Sequence, residues 1–271
     1  MPRPNHFAAL DRADFPPMLP GSVWLVGAGP GGPGLASLLA YHALGEADVI
    51  LHDALVSPDL LTLAPAETRR IFVGKRGGQP SPRQYEITRQ MIDLARAGQR
   101  VLRLKGGDPF MFGRGGEEAE ALAAADIPFR IVPGISAGLG GLAYAGIPIT
   151  HRDTNHAVLF LTGHDETGAV PQDIDWPAVS RAAPVIVLFM AVRHLGEIAR
   201  NLLAAGRPGS DRLTIVANAA TPRQRVLHST LAAAPTLTDL PTPAIIVLGP
   251  VGAYGETLDW YVGKARDHIH G

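Results

Sequence analysis

The feature that most constrains the fold is a regular alternation, in the first half of the chain, between short apolar runs and longer helical patterns. Five runs rich in Val, Ile and Leu read as strands, at residues 22–26, 48–52, 70–74, 100–104 and 129–132. Between the third and the fourth run, Ile87, Met91 and Leu94 recur at helical spacing, and Gly98 provides a helix stop. This alternation predicts an α/β architecture with a mostly parallel sheet.

The loops that leave these candidate strands are rich in glycine. They read "GAGPGGPG", "HDALVS", "GKRGGQPSPRQ", "KGGDPFMFGRGG" and "PGISAGLGG". In a parallel sheet the carboxyl ends of the strands share one edge, and ligands bind outside that edge. The sequence therefore predicts a ligand site that is built from these loops.

The second half of the chain has a different pattern. After the stretch "AGIPITHRDTNHA" come five apolar runs, "VLFLTG", "APVIVLFM", "LTIVANA", "RVLHSTL" and "PAIIVLG", with one clear helix near residues 192–205. Strands outnumber helices here, so we expect a mixed sheet with helices. We predict an N-terminal arm over residues 1–20, one α/β domain over 21–154 and a second over 155–271.

Composition excludes several classes of function. A formal net charge of -1 and a pI near 6.8 argue against nucleic-acid and anionic-membrane binding, which need a basic surface. No apolar run approaches the roughly 20 residues that span a bilayer, and the N-terminal prolines and acids do not fit a signal peptide. The absence of cysteine excludes disulfides and thiolate metal sites, which fits a cytoplasmic protein. His151 and His156 have no third ligand at recognisable spacing, so we expect no metal.

The glycine loop after the first strand permits two interpretations. Gly27, Gly29 and Gly32 satisfy G-x-G-x-x-G, and Asp53 ends the next strand, which is the pattern of a dinucleotide site in a flavin- or nicotinamide-dependent oxidoreductase. That motif also requires a helix that begins within it. The Pro-Gly pair at residues 33–34 continues a helix poorly. We therefore expect the helix to begin after this pair, and the loop to be an open backbone surface.

Six motifs occur together and in a fixed order in the chain. They are "VGAGPG", "GKRGGQPSPRQ", "RLKGGDPFMFGRGGEE", "VPGISAG", "AYAGIPITHRDTNHAVLFLTGH" and "NAATPRQRVLH". This set closely resembles the uroporphyrinogen-III C-methyltransferases of the tetrapyrrole methylase family, over residues from about 22 to 250. The resemblance implies the two-domain class III methyltransferase fold, a homodimer, and an active site in the cleft between the domains.

The resemblance also implies an activity, the S-adenosylmethionine (SAM)-dependent methylation of uroporphyrinogen III at C2 and C7. The product would be precorrin-2, formed through precorrin-1, for sirohaem and cobalamin synthesis, with S-adenosylhomocysteine released and no metal required. A carbon nucleophile must then lie in line with the methyl group, and the methylated ring must lose a proton. Three alternatives remain open: a methyltransferase that acts on a later precorrin, a non-catalytic sensor of SAM or tetrapyrroles, and a flavin- or nicotinamide-dependent oxidoreductase, which rests only on G-x-G-x-x-G and Asp53.

Site residues follow from the resemblance, position by position. SAM contacts fall on Pro30, Gly106, Gly107, Asp108, Met111, Ser136, Ala137, Met190 and Ala219. The catalytic set is Asp53 as proton acceptor, Lys75 as proton donor, and Arg114, which binds substrate or takes part in proton transfer. Substrate contacts fall on Arg76, Arg114, Glu117, Arg152 and Met190. Two arginines have a simpler alternative, because Arg114 could pair only with Glu117, and Arg152 only with Asp153.

One residue departs from the family pattern. Most relatives read "GAGPGD" where this chain reads "GAGPGG", so Gly32 stands in place of an acid. We expect activity to persist, because Asp53, Lys75 and Arg114 are all present.

Overall fold

The structure is a computed structural model that describes residues 15–74, 84–165 and 167–261. The described chain forms two compact units. The first runs to Ala28 and continues over Ala36–Gly134, and the second comprises Gly29–Leu35 and the residues from Ile135 onward. Each unit contains one five-stranded sheet.

The first unit is built on a parallel sheet. Its strands are β1 (Val23–Gly27), β2 (Val49–His52), β3 (Arg69–Phe72), β4 (Val101–Lys105) and β5 (Phe129–Val132). They lie in the order β3-β2-β4-β1-β5, and every pair is parallel. This confirms the predicted parallel sheet, and the strand ends lie within two residues of the predicted ones.

Helices cover both faces of this sheet. They are α1 (Leu38–Glu46), α2 (Pro58–Leu61), α3 (Gln84–Arg96) and α4 (Gly115–Ala124). Trp24 and Val26 of β1 join the apolar cluster that contains α1 and α2 residues, whereas Val23 and Leu25 join the one with α3 and α4 residues. Strand β1 is therefore apolar at successive positions because both of its faces are buried.

Helix α1 begins outside the glycine motif. Pro33–Leu35 form a single 3-10 turn, and α1 starts only at Leu38. Ser37 sets this start, because its side chain accepts a hydrogen bond from the Ala40 amide at 3.1 Å. The prediction that the helix begins after residues 33–34 is confirmed, and the helix that a dinucleotide motif requires is absent from these residues.

The second unit contains a mixed sheet, as predicted. Its strands are β6 (Val158–Thr162), β7 (Val185–Phe189), β8 (Arg212–Ala217), β9 (Arg225–Thr230) and β10 (Ala244–Leu248), in the order β6-β7-β10-β8-β9. Only β6 and β7 pair in parallel. Its helices are α5 (Leu142–Tyr144), α6 (Trp176–Ala182), α7 (Leu195–Ala204) and α8 (Gly255–Leu258). The predicted helix near residues 192–205 corresponds to α7, preceded by a 3-10 turn at Val192–His194.

Strand direction determines which loops of the second unit share an edge. Both β7 and β8 run antiparallel to β10, so they run in the same direction, and β6 is parallel to β7. The carboxyl ends of β6, β7 and β8 therefore lie at one edge of this sheet. Met190 directly follows β7, and Asn218 directly follows β8.

The division between the compact units differs from the predicted boundary at residues 154 and 155. The chain divides after Gly134, because a π-helical turn at Ala137–Gly141 packs on the sheet of the second unit. A Cβ at Gly138 would lie 2.5 Å from the Phe189 ring. Residues 29–35 also belong to the second unit, although they follow β1 in sequence.

Two features of residues 15–74, 84–165 and 167–261 concern membrane and metal binding. None of the helices in these ranges is long and apolar enough to cross a bilayer. The same residues contain no group of three or more His, Cys, Asp and Glu side chains that could hold a metal ion.

Candidate functional site

Three glycines of the first unit meet where β1, β4 and β5 end. A Cβ atom on Gly27 would lie 2.5 Å from Gly134 Cα and 2.6 Å from the Gly107 carbonyl oxygen. Real Cβ atoms essentially never approach other atoms so closely, and a Cβ on Gly134 would likewise overlap the Gly107 carbonyl oxygen, so Gly27 and Gly134 both depend on the missing side chain. The backbone segments that follow β1, β4 and β5 are therefore packed directly against one another at this sheet edge.

Asp108 connects the loop that follows β4 to the loop that follows β5 through hydrogen bonds. Its Oδ1 accepts a hydrogen bond from the Phe110 amide at 2.8 Å, and its Oδ2 accepts one from the Gly134 amide at 2.9 Å. An ionised carboxylate has about four acceptor positions, so two remain for a ligand hydroxyl or amine. Met111 lies in the same loop, and its amide donates to the Asp108 carbonyl oxygen at 3.4 Å.

Asp53 lies at the end of β2, beside the loop that leaves β4. Its Oδ1 accepts a hydrogen bond from the Leu55 amide at 2.9 Å, and its Oδ2 lies 3.4 Å from the Gly106 amide. A Cβ at Gly106 would lie 2.5 Å from Leu55 Cβ, so glycine is required for this approach. The structure thus brings the candidate proton acceptor next to the candidate SAM-binding glycines.

Arg114 and Glu117 form an exposed pair at the start of α4. Arg114 Nε and Nη2 donate to the Glu117 carboxylate at 2.9 and 2.6 Å, which holds the pKa of that carboxyl below its usual value. The side chains are 49% and 55% exposed. Exposed pairs of this kind contribute only about 0–1 kcal/mol, so an incoming carboxylate can compete for the guanidinium. The pairing with Glu117 is present, and it is compatible with substrate binding.

A buried ion cluster beside these residues was missed by the sequence analysis. Glu118 of α4 is fully buried and pairs with Arg103 at 3.1 Å and with Lys105 at 3.0 Å. Gln84 of α3 donates to the same carboxylate at 2.9 Å. Burial, followed by the nearby Arg103 charge, lowers the pKa of Lys105. In the sequence, this cluster is signalled by two basic residues inside the otherwise apolar run "VLRLK".

In the second unit, the π-helical turn at Ala137–Gly141 gathers further predicted SAM contacts. A Cβ at Gly140 would lie 3.3 Å from Pro30 Cγ. A Cβ at Gly141 would lie 2.9 Å from Ala219 Cβ and 3.9 Å from Ala137 Cβ. Pro30, Ala137 and Ala219 are therefore brought to one place, although they are far apart in sequence.

Left-handed backbone conformations occur at the strand exits of both units. Phe112 and Arg114 in the first unit have φ values of 51° and 59°. Met190, Asn218 and Ala220 in the second have φ values of 53°, 48° and 58°. Such conformations cost about 1–3 kcal/mol each in non-glycine residues and cluster at functional sites. Their positions coincide with the loops that carry the predicted contacts.

Ser136 presents a buried hydroxyl without a partner. The residue is 5% exposed, and its Oγ has no hydrogen bond within the described part of the chain. An unsatisfied buried polar group costs about 1–3 kcal/mol, so native proteins rarely retain one without reason. A bound ligand that donates to or accepts from this hydroxyl provides such a reason, and Ser136 is a predicted SAM contact.

Replacement of Ser136 by Ala is a direct test of this interpretation. We expect the free energy of unfolding of the ligand-free protein to stay the same or rise, because no hydrogen bond is lost. We expect the SAM dissociation constant to rise about five- to tenfold, the value of one hydrogen bond. Calorimetric titration with SAM and urea denaturation measure both quantities.

The matched control is Ser22→Ala in the first unit. Ser22 is also 5% exposed, but its hydroxyl donates to the Leu19 carbonyl oxygen at 2.6 Å. This variant should lose stability and keep the parent affinity for SAM. An unchanged SAM affinity in Ser136→Ala would contradict a ligand role for the Ser136 hydroxyl.

Of the remaining predicted site residues, two lie outside the described part of the chain and two are exposed in the second unit. Lys75 and Arg76 lie outside the described residues. Arg152 is exposed on a turn between His151 and Asn155, and no ion pair between it and Asp153 is present among the described residues. Met190 is 42% exposed directly after β7.

Comparisons with known proteins agree with this arrangement. Residues 22–235 match the family described as Tetrapyrrole (Corrin/Porphyrin) Methylases. The chain is 57% identical over 251 residues to a uroporphyrinogen-III C-methyltransferase of Sinorhizobium sp., covering 92% of this chain and 90% of that protein. It is 45% identical over 254 residues to the siroheme synthase of Tolumonas auensis, covering 92% of this chain and 54% of that one. The chain spans about half the length of the siroheme synthases that it matches.

A solved structure supports the same relationship. The uroporphyrin-III C-methyl transferase of Thermus thermophilus, complexed with S-adenyl homocysteine, superimposes with a TM-score of 0.75 at 39% identity. The match covers 85% of this chain and 98% of that one. The predicted fold, with one parallel and one mixed sheet, is therefore confirmed. A family match that extends over both units and relatives that agree with it lead to one conclusion: this chain belongs to the tetrapyrrole methylase family.

Proposed function

We propose that this chain methylates uroporphyrinogen III at C2 and C7 with SAM as the methyl donor, through precorrin-1 to precorrin-2. The observation that carries the proposal is 57% identity, over 92% of the chain, to a protein named uroporphyrinogen-III C-methyltransferase. The S-adenyl homocysteine complex of the Thermus thermophilus relative supports SAM as the donor.

The proposed SAM contacts fit the chemistry of the groups present. On the first unit, we assign to them the backbone at Gly106 and Gly107 and the remaining acceptor positions of Asp108. On the second unit, we assign the unpartnered Ser136 hydroxyl and the apolar surface around Ala219. SAM supplies an electrophilic methyl group on a sulfonium centre. The protein's task is then to hold the reacting ring carbon in line, about 3 Å from that group, and to exclude water.

Proton removal is assigned to Asp53. Methylation makes the pyrrole carbon quaternary and leaves the tetrapyrrole cationic, so a proton must leave from another position of the macrocycle, and a carboxylate within hydrogen-bond reach of that position can accept it. The two backbone amides that bond Asp53 fix the direction of its carboxylate. The resemblance assigns the proton-donor role to Lys75, which lies outside the described residues.

We assign the binding of substrate carboxylates to arginine side chains. Uroporphyrinogen III bears eight carboxylates, and a guanidinium binds a carboxylate through two parallel hydrogen bonds. We propose that a substrate carboxylate competes with Glu117 for Arg114, and that Arg152 binds a second one. Met190 and Arg76 complete the proposed contacts, with Arg76 outside the described residues.

The decisive experiment counts methyl groups on the tetrapyrrole. Anaerobic uroporphyrinogen III, labelled SAM and the purified protein are incubated together, and the product is analysed by mass. Two added methyl groups are expected, together with two equivalents of S-adenosylhomocysteine. No added methyl group would refute the proposal and favour a later precorrin as substrate. Binding of both ligands without S-adenosylhomocysteine would instead identify a sensor.

The proposal extends to the setting of the reaction. It includes homodimeric assembly, which the family resemblance implies, and a cytoplasmic location, which a chain without cysteine fits. It also includes supply of precorrin-2 to sirohaem and cobalamin synthesis.

The departure at Gly32 leads to a separate prediction. A Cβ at this position would meet no atom within 4 Å, so Gly32→Asp should fold normally. We expect its turnover to lie within a few fold of the parent value, because the candidate proton acceptor Asp53 is already present. Steady-state kinetics with uroporphyrinogen III measure the effect, and a gain of several orders of magnitude would contradict the prediction.

The adjacent variant Gly31→Asp is the control. Gly31 has a φ of +75°, and its added Cβ would overlap the Ala220 carbonyl oxygen. This variant should lose stability, whereas Gly32→Asp should not.

A further inference from the structure

The turn that carries Arg152 is held in shape by a buried side chain. His151 and Asn155 form an isolated antiparallel bridge, and Asn155 is 3% exposed. The Asn155 side-chain oxygen accepts from the His151 amide at 3.0 Å, and its nitrogen donates to the carbonyl oxygens of Ile149 and Ala157 at 3.0 and 3.3 Å. The ends of the turn are therefore fixed from within.

Tyr254 contacts the same turn from a position 103 residues later in the chain than His151. Its hydroxyl lies 2.9 Å from His151 Nδ1 and 2.9 Å from Thr154 Oγ1. The two rings are stacked, with centroids 4.4 Å apart and planes inclined by 26°. The Asp153 amide also donates to His151 Nδ1, at 3.3 Å. His151 thus connects the middle of the turn to Tyr254, in a contact that we call the His151–Tyr254 clasp.

Arg152 lies between the residues that the clasp holds. Its neighbours His151 and Asp153 have their backbone amides bonded within the turn, whereas the Arg152 side chain is exposed. A guanidinium that binds a carboxylate through two parallel bonds needs a defined orientation. A turn that is ordered before binding avoids the entropic cost of ordering it in the complex. The clasp therefore fixes the backbone on either side of Arg152, whose side chain is exposed and accessible to a ligand.

We propose that Tyr254 is a positioning residue for the substrate: through His151 it holds the turn so that Arg152 can bind one carboxylate of the tetrapyrrole. This inference rests on the proposed function. It adds a residue from the segment after β10 to the substrate-recognition machinery, with no part in methyl or proton transfer. Its effect should therefore appear in substrate affinity alone.

Tyr254→Phe is the appropriate variant, because it removes the hydroxyl and retains the ring that stacks on His151. We expect the KM for uroporphyrinogen III to rise about five- to tenfold, as for the loss of one hydrogen bond. The KM for SAM and kcat should remain at the parent values. Initial rates with each substrate varied in turn measure these quantities.

A double-mutant cycle distinguishes positioning from a general loss of stability. Arg152→Ala should itself raise the KM for uroporphyrinogen III, and Tyr254→Phe should then have no further effect in the Arg152→Ala background. Thr214→Val is the control, because it removes another hydroxyl–imidazole contact of the second unit, 3.2 Å from His228 Nδ1. It should lower the melting temperature and leave the KM unchanged.

Each outcome bears on the inference. An unchanged KM in Tyr254→Phe or in Arg152→Ala would overturn it, as would an equal effect of Tyr254→Phe in both backgrounds. A rise in the KM that Thr214→Val reproduces would show a stability effect and overturn it as well. Failure of the parent protein to methylate uroporphyrinogen III would defeat the proposed function itself, and this is established before any variant is compared.

Discussion

Replacement of Asp53 by Asn is expected to lower the turnover of uroporphyrinogen III by about 10²–10⁴-fold, the usual contribution of a positioned general base. The amide keeps the shape of the side chain and one oxygen that can accept from the Leu55 amide. It cannot take up a proton, so the methylated ring would release its proton to water. Asn cannot also accept from the Gly106 amide, whose contact with Asp53 is the longer one at 3.4 Å, so the SAM dissociation constant should rise by no more than about fivefold, the value of one hydrogen bond. Single-turnover kinetics and calorimetric titration separate the two effects.

Asp48→Asn is the matched control for this variant. Asp48 precedes the same strand, β2, at its opposite end, and its carboxylate bonds Arg100 at 2.7 and 3.2 Å. This pairing with Arg100 lowers the pKa of Asp48. Asp48 lies at the amino ends of the strands, away from the loops that carry the predicted site residues. Its replacement should leave turnover unchanged. Parental turnover in Asp53→Asn would contradict the assignment of proton removal to Asp53.

Periodicity predicted the first sheet well because its inner strands, β1, β2 and β4, are buried on both faces. In "VWLVG" every residue is buried, so the run is apolar throughout and stands out from the helical segments around it. The positions of the loops at one sheet edge then follow from parallel pairing alone. The order β3-β2-β4-β1-β5 does not follow, because several orders satisfy the same pattern. The proximity of Asp53 to Gly106 depends on that order, since it requires β2 to lie beside β4.

Local chemistry predicted the helix start but not the division of the chain. The Pro-Gly pair at residues 33–34 and the capping Ser37 are adjacent signals, and α1 begins where they indicate. The division after Gly134 depends on contacts of Gly138 with the Phe189 ring, about 50 residues away in sequence. A change in composition near residue 155 marks the start of the second sheet, and it carries no information about such packing.

The buried ion cluster was missed for a related reason. In "VLRLK" the basic residues alternate with leucines, a pattern typical of a strand with one face in solvent. Yet β4 is the central strand, and Arg103 and Lys105 are each 4% exposed. Their burial is possible because Glu118 of α4 lies opposite them, and sequence spacing cannot reveal that contact. The cluster also fixes the first turn of α4, which follows directly on Arg114.

Replacement of Glu118 by Ala is expected to lower the free energy of unfolding of the first unit by about 3–5 kcal/mol. The variant leaves Arg103 and Lys105 buried without their shared carboxylate, and the cost of an unpaired buried charge exceeds the value of the pair. Urea denaturation measures the loss. Trp24 is a buried tryptophan of the first unit, so a Trp176→Phe, Trp260→Phe background makes its fluorescence report on that unit alone.

Two further variants test whether unpaired charge is the cause of that loss. Glu117→Ala removes the neighbouring carboxylate, which is 55% exposed, and should change the free energy of unfolding by no more than about 1 kcal/mol. Adding Lys105→Met to Glu118→Ala removes one of the two stranded cations while keeping an apolar side chain of similar length, so it should recover part of the loss. If the double variant were less stable than Glu118→Ala, the loss would come from packing rather than from charge. If Glu118→Ala unfolded like the parent, the cluster would contribute nothing to stability. Recovery in the double variant would instead mean that Glu118 is kept because β4 carries two basic side chains into the core, where each needs an anionic partner.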